Sequence, residues 1–456
     1  FDSNTGLPRI DTRITIEGNG STIRRSNYAF FLRLLAVGSN GDLTLNETTL
    51  TGGSAHRGGG VFVNGGDLEI NSSALLEGVA EHGGAVFNYN GVVNINNSII
   101  FENLAYASPT EGDGGGLHNA GTMNVTASVI LDNDASRGGG VYNEYFGELT
   151  IVNSTISGNS ANKGGGIYNN EVLIVTDSMI LENTVESHGG GIYTHFGDTE
   201  ITGSTLASNE AGDRGGGLFQ ESGITVFTNS TLSGNSAAAG GGAYNYLAEN
   251  MIFINSTVTG NSAGTGGGLA NASTMTLRRT LVSGNQANVG AEIDNCAYFN
   301  CAYSDVGILT ADEFNLFGHS GLTNTQAFRE FAPGPSDIAA NSNGAQPTPL
   351  NNILSPVLQN NGGPTHTHSL VFQSPALDNA PNAGCNNQPV DGVDQRGKPR
   401  NADADNDPSN QDCDIGAFER TLNQITISPA TAALILQYLG GNTAHFLNGP
   451  RDRPPT

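Results

Sequence analysis

Short runs in which apolar and polar residues alternate, such as Leu149-Thr-Ile-Val and Ser154-Thr-Ile-Ser, recur along most of the chain with turn residues between them. A period of two predicts strands with one buried face, and the β-branched residues in these runs agree with that reading. A longer period organises the runs. Glycine triplets followed by an apolar residue, often an aromatic, and often Asn begin at Gly58, Gly83 (as Gly-Gly-Ala), Gly114, Gly138, Gly164, Gly189, Gly215, Gly240 and Gly266, with a degraded copy at Gly290. Successive starts differ by 25, 31, 24, 26, 25, 26, 25, 26 and 24 residues. A second motif, as in Asn153-Ser-Thr-Ile-Ser-Gly-Asn159, precedes each triplet. Its last Asn recurs at Asn103, Asn133, Asn159, Asn183, Asn209, Asn235, Asn261 and Asn285.

Helical repeats are longer than this period and richer in Ala, Leu, Glu and Lys, and the Leu-x-x-Leu-x-Leu frame of leucine-rich repeats is missing. Three short strands and three turns in about 25 residues make one coil of a parallel β-helix. The predicted fold is therefore all-β: a right-handed, single-stranded parallel β-helix solenoid. Coils about 4.8 Å apart give a rod on the order of 50 Å long. Stacked Asn side chains would hydrogen-bond along the rod, glycine triplets would supply φ > 0, and residues such as Ile156 and Ile167 would fill the coil. Residues 1–57 read as opening coils, 58–295 as regular repeats, 296–420 as an irregular capping region, and 421–456 as a tail. In the tail, Ser428-Pro429 would start a short helix through Leu439.

Composition narrows the function. The formal net charge of −25, with Lys163 and Lys398 the only lysines, argues against nucleic acid and anionic membrane as partners. No stretch reaches the roughly 18 apolar residues of a membrane span. No basic, then apolar leader opens the chain, which reads as a mature or trimmed product. The four cysteines fall into two local sets, Cys296 with Cys301 and Cys385 with Cys413. An even count without CxxC spacing favours two disulfides, and so an oxidising compartment, over zinc; four reduced thiols are the alternative. Eight Asn-x-Ser/Thr sequons, among them Asn46, Asn153, Asn229 and Asn255, follow from a repeat rich in Asn and Ser.

Several motifs resemble the bacterial choice-of-anchor Q group of β-helix proteins, relatives in fold of pectate lyases and of polymorphic outer-membrane-protein repeats. The resemblance rests on Gly6-Leu-Pro-Arg-Ile, Ile14-Thr-Ile-Glu-Gly-Asn-Gly-Ser-Thr-Ile and the Gly-Gly-Gly-Ile-Tyr-Asn coils. It continues through Asn361-Gly-Gly-Pro-Thr-His-Thr-His, Ser374-Pro-Ala-Leu-Asp, Asp394-Gln-Arg-Gly-Lys-Pro-Arg and Cys413-Asp-Ile-Gly-Ala-Phe-Glu. It implies a secreted or surface-attached protein, and no particular enzymatic activity follows from it.

Four groups of residues carry candidate chemistry. Asp403, Asp405, Asp407, Ser409, Gln411 and Asp414 take the spacing of a calcium loop, although Pro408 stands where such loops place Gly. The other reading is a solvated acidic turn held by a Cys385–Cys413 disulfide. A basic column precedes the triplets at Arg57, His82, Arg137, Lys163, His188 and Arg214, interrupted by Asp113. It would grip an acidic polysaccharide or be neutralised by Glu77, Glu102, Asp132 and Glu182. An aromatic column follows each triplet at Phe62, Phe87, Tyr142, Tyr168, Tyr193, Phe219 and Tyr244, with His118 in register. Alternation from its apolar neighbour predicts that it faces outward, as a platform for sugar rings or a protein partner. No catalytic residues are assigned: Glu292 and Asp294 with Asp305, or Asp312 with Glu313, are chance pairings in an acidic chain, and His366 and His368 read as structural.

The expected function is a non-enzymatic extracellular or cell-surface rod, structural or adhesive. Its partner would be itself, in a filament or layer joined through rod ends, or an extracellular glycan or surface protein. A polysaccharide lyase or hydrolase, and a glycan-binding module without turnover, are the alternatives.

Overall fold

The computed structural model describes residues 5–26, 29, 31–106, 112–296, 306–400 and 412–420. They form an all-β parallel β-helix of about 12 turns, with about 26 residues per turn. One coil runs through strands Val141–Asn143, Glu148–Val152, Thr155–Ser157 and Ser160–Lys163. The first two belong to one long sheet and the others to two further sheets, so a coil has four strands rather than the expected three. The added strand arises because the corner after Asn143 bends the sheet without breaking it. In two coils a single strand, Val86–Asn96 or Leu117–Thr126, passes straight through that corner.

Alternation decides what enters the coil. Leu149, Ile151 and Ile156 point inward and are fully buried, while Glu148 and Thr150 point out. Parallel pairing keeps register, so like stacks on like: Ile151 on Val175, Ile167 on Ile192, Phe227 on Phe253 with ring centroids 4.6 Å apart. Near the last coils Phe317, Phe328 and Phe331 pack edge-to-face and close the lumen.

Three corners of each coil carry a residue with positive φ. Gly138 and its equivalents occupy one, with φ 63°. The next triplet residue is glycine for a different reason: a Cβ on Gly139 would lie 2.3 Å from the Ser160 carbonyl oxygen. The other two corners accept non-glycine residues such as Asn153 and Asp132.

Polar side chains tie the corners together along the rod. Asn159 Nδ2 donates to Asn183 Oδ1 at 2.9 Å, and the same bond repeats at every step from Asn103 to Asn285. A second ladder, unassigned in the sequence, runs from Asn88 through Asn119 and Asn143 to Asn169 and resumes from Asn245 to Asn295. In a third, serine hydroxyls accept backbone N–H groups of the preceding coil, as when Ser154 N donates to Ser178 Oγ.

The triplet at Gly290 is not a decayed copy. It reads Gly-Ala-Glu, and Glu292 occupies the place of Gly268 one coil earlier. Its carboxyl ends the first ladder by accepting from Asn285 Nδ2 at 2.7 Å, Asn285 N at 3.3 Å and Gly284 N at 2.9 Å. Burial pushes this carboxyl up from 4.5 to about 8, although the three donors oppose the rise. A raised carboxyl contributes stability below its unfolded value and loses it as pH rises through the folded one. The window is therefore pH 4.5 to about 8, and the full loss is roughly 5 kcal/mol. Thermal unfolding between pH 5 and 9 should show a midpoint that falls with pH, and Glu292→Gln should flatten that slope. Equal slopes in the two proteins would show that Glu292 does not titrate there.

The region expected to cap the helix does so only as far as strand Ile338–Ala339, which pairs with Leu316–Phe317. The chain then turns back and lies as a strap along the second sheet. Thr365 Oγ1 donates to the Gly203 carbonyl, Thr231 Oγ1 to Gln395 Oε1, and Ala417 N to Thr257 Oγ1. Strands under the strap, such as Thr231–Ser233, are buried on both faces, whereas Thr155–Ser157 beyond its reach is half-exposed outside. The motifs around Asp394 and Cys413 fasten the strap. Asp394 pairs with Arg396 at 2.6 Å, both fully buried, and the Arg396 guanidinium lies 3.7 Å from the Phe418 ring centroid. Arg400, 0% exposed, donates to Asn229 Oδ1 and to the carbonyls of Val393, Asp414 and Gly416. Cys385 and Cys413 form a disulfide.

Candidate functional site

The basic column forms as expected. Arg57, His82, Asp113, Arg137, Lys163, His188 and Arg214 lie one above another, in line with the short sheet whose strands end at Lys163 and His188. Beside it stands the aromatic column, outside the lumen and in a cluster of its own. Its rings stack in sequence, Tyr142 on Tyr168 at 5.2 Å and Tyr168 on Tyr193 at 4.7 Å.

The aromatic column faces out of the coil, but it is not an open platform. From Phe87 to Tyr244 its members are at most 5% exposed. The neighbouring cations cover it. Arg57 lies 5.4 Å from the Phe87 ring, Arg137 5.2 Å from Tyr142, Lys163 5.1 Å from Tyr193, and Arg214 5.2 Å from Tyr244. Each contact is worth about 0.5–2 kcal/mol. On the other flank, Tyr193 donates its hydroxyl proton to Glu221, and Asn170 Nδ2 donates to the Tyr142 hydroxyl. Burial pushes the Tyr142 phenol up to about 12. The two columns thus form one covered stack, because rings spaced one coil apart leave no gap and cationic stems lie across them.

Exposed aromatics stand at the next corner instead. Tyr89, Tyr145, Phe146 and Phe196 project there, with Phe146 88% exposed. The Glu144-Tyr-Phe-Gly turn lacks the repeat's regularity, so periodicity alone did not single it out.

The column opens at its N-terminal end into a cleft of about 510 Å³ lined by Arg33, His56, Arg57, Phe62, Glu81, His82 and Tyr89. Arg57 is exposed and, among the described residues, has no carboxylate partner. His56 pairs with Glu81 at 2.7 Å. Beyond the cleft, Asp113 accepts from Arg137 Nε at 2.7 Å and Nη2 at 2.9 Å. Burial raises the Asp113 carboxyl, but contact with His82 and the Arg137 pair outweigh it and hold it below its ordinary value. His118, 3% exposed, is held below its ordinary value by burial, although its Nε2 lies 2.9 Å from Glu144 Oε2.

The acidic column does not neutralise the basic one. Glu77, Glu102, Asp132 and Glu182 occupy the positive-φ corner before the Asn ladder. Ion pairs of the basic column run to Asp113 and Asp213 instead. Of the calcium-loop residues, Asp403, Asp405, Asp407, Ser409 and Gln411 lie outside the described residues, as does the tail helix. Asp414 is turned into the strap lock, accepting from Asp378 N and Arg420 N, and burial pushes its carboxyl up to about 7.

Of the carboxylates weighed for catalysis, the four that are described do not converge. Glu292 ends the ladder and Asp294 pairs with Arg329, while Asp312 accepts from Ser336 and Glu313 faces Arg278; Asp305 is outside the described residues. His368 is structural: its Nε2 meets Ser233 Oγ at 2.8 Å and its Nδ1 the Ser355 carbonyl at 2.7 Å. Cys296 is disulfide-bonded, and Cys301 lies outside the described residues. Sequon residues Asn229 and Asn255 are buried under the strap, whereas Asn153 is exposed. Among the described residues, no helix is long and apolar enough to cross a membrane.

Fold and flank together define a parallel β-helix protein with one cation- and aromatic-lined edge. No family model, curated protein or solved structure matches the chain.

Proposed function

We propose that this chain is a non-enzymatic extracellular or cell-surface rod whose N-terminal cleft adheres to carboxylate-bearing polysaccharide. The observation that carries the reading is Arg57. On a chain of net charge −25, it is an exposed guanidinium with no carboxylate partner among the described residues, set in an open cleft. A guanidinium matches a carboxylate with two parallel hydrogen bonds, and the exposed Tyr89 ring beside it offers a face to a sugar. The ladders support the mechanical half of the reading, since they tie successive coils together from Thr48 to Asn285. The disulfides are compatible with an oxidising exterior.

A glycan array holding uronic-acid and neutral polysaccharides tests the reading. Binding should favour the acidic set, fall with salt, and drop about tenfold in Arg57→Ala, the loss of roughly 1.4 kcal/mol. Incubation should release no shortened or unsaturated products. Product release would establish a lyase or hydrolase, and equal binding of neutral glycans would remove Arg57 from the account.

A further inference from the structure

Asp113 breaks the basic column and His118 breaks the aromatic one, and both breaks fall in the same coil. A carboxylate oxygen of Asp113, a ring nitrogen of His118 and a ring nitrogen of His82 from the coil before lie within 4.8 Å of one another. We infer that these three side chains form a binding site for a divalent transition metal such as zinc.

The arrangement around His118 points to a ligand. Its Nε2 is taken by Glu144 at 2.9 Å, and its Nδ1 is buried with no hydrogen-bond partner. A histidine whose one nitrogen is held by a carboxylate presents the lone pair of the other, which is how metal-binding imidazoles are oriented. The ring plane is fixed by stacking between Phe87 at 4.4 Å and Tyr142 at 4.9 Å. His82 Nδ1 also lacks a hydrogen-bond partner and stands 3.4 Å from Asp113 Oδ2. Two ligands about 2.0–2.1 Å from a tetrahedral zinc stand roughly 3.4 Å apart, so this pair is already at ligand spacing. Arg137 occupies one lone pair on each Asp113 oxygen and leaves the other on Oδ2 toward His82. Hydrogen bonding of a ligating carboxylate by a cation is ordinary outer-shell support.

Two imidazoles and one carboxylate leave the fourth tetrahedral position open. His82 also lines the cleft proposed for the glycan, so the cluster borders that site. A metal there would accept a carboxylate oxygen of the sugar; this extension rests on the adhesive reading, while metal binding itself does not.

The test uses the whole chain and metal alone, without glycan. Calorimetric titration with Zn2+ should show one saturable site per chain, and Co2+ in its place should give the intense visible absorption of tetrahedral geometry. His118→Phe keeps the ring stack, since Phe fills the same register at Phe87, and should abolish both signals. Glu144→Gln should weaken binding about 10- to 100-fold, which a role in packing alone would not do. If His118→Phe does not fold, Asp113→Asn carries the same expectation of loss. Absence of a saturable site in the parent protein, or one that survives either ligand substitution, overturns the inference. Metal binding without glycan binding would sink only the adhesive reading, and glycan binding without metal only this one.

Discussion

Replacing Asn159 with Ala should cost roughly 3–6 kcal/mol and open the centre of the rod. Asn159 Nδ2 donates to Asn183 Oδ1 and to the carbonyls of Ile130 and Ser157. Its Oδ1 accepts both Asn133 N and Asn133 Nδ2. Alanine leaves these partners without Asn159 in a corner that water does not reach, and each buried group left unsatisfied costs about 1–3 kcal/mol. Solenoid coils are stabilised chiefly by their neighbours, so the loss should be local first. Urea unfolding should show a lower midpoint. Hydrogen exchange should accelerate in the coils between residues 130 and 185 before it does elsewhere. Asn162→Ala, exposed in the same coil, is the control and should stay within about 0.5 kcal/mol of the parent. A ladder variant as stable as its control would show that the ladder is ornament rather than support.

The second large effect is expected at Arg400. Arg400→Met fills much of the same space but removes donors to Val393, Asp414, Gly416 and Asn229, and the positive charge 3.7 Å from Glu419. Breaking a buried charge network from one side typically costs about 3–5 kcal/mol. Burial already pushes Glu419 up to about 10 and Asp414 up to about 7, and loss of Arg400 drives both higher. Carboxyls raised on folding lose stability as pH climbs through their folded values, so the defect should be larger at pH 9 than at pH 6. Limited proteolysis should cut the variant within residues 353–420 while the coils stay intact. An unchanged cleavage pattern at both pH values would show that the strap is held by something else.

Much of the coil was legible in the sequence because a solenoid writes its register as a linear period. The spacing of Asn103 to Asn285 gave the first ladder, and the places of Arg57 and Tyr142 gave two columns in true alignment. Whether a column is open to solvent was not legible. It depends on how far a side chain such as Lys163 leans toward the next coil, where it covers Tyr193 rather than Tyr168. The strap was illegible for a related reason. Contacts such as Gln395 to Ser204 join residues 191 apart and leave no periodic trace. The motifs that carry the resemblance, around Asp394 and Cys413, are the parts that fasten it. The second Asn ladder was visible as an Asn that often follows the aromatic, but pattern alone does not tell a stacked corner from an exposed turn. The His82, Asp113 and His118 cluster was hidden as two apparent lapses in the repeat, Asp113 and His118, which gain meaning only when adjacent coils bring them beside His82.

The strap also changes how the rod would bear load. Near its last described residues, Gly416 and Ala417 lie against the coils of Arg279 and Thr257 rather than at the tip of the helix. A pull applied through the chain that follows would enter from the flank, partway along the rod. Tension along the rod axis would act in shear across the bonds of Arg400, Gln395 and Ala417, which would have to break together. A pull away from the flank would peel those bonds one after another, so the protein should hold firmly in one direction of drag and release in the other.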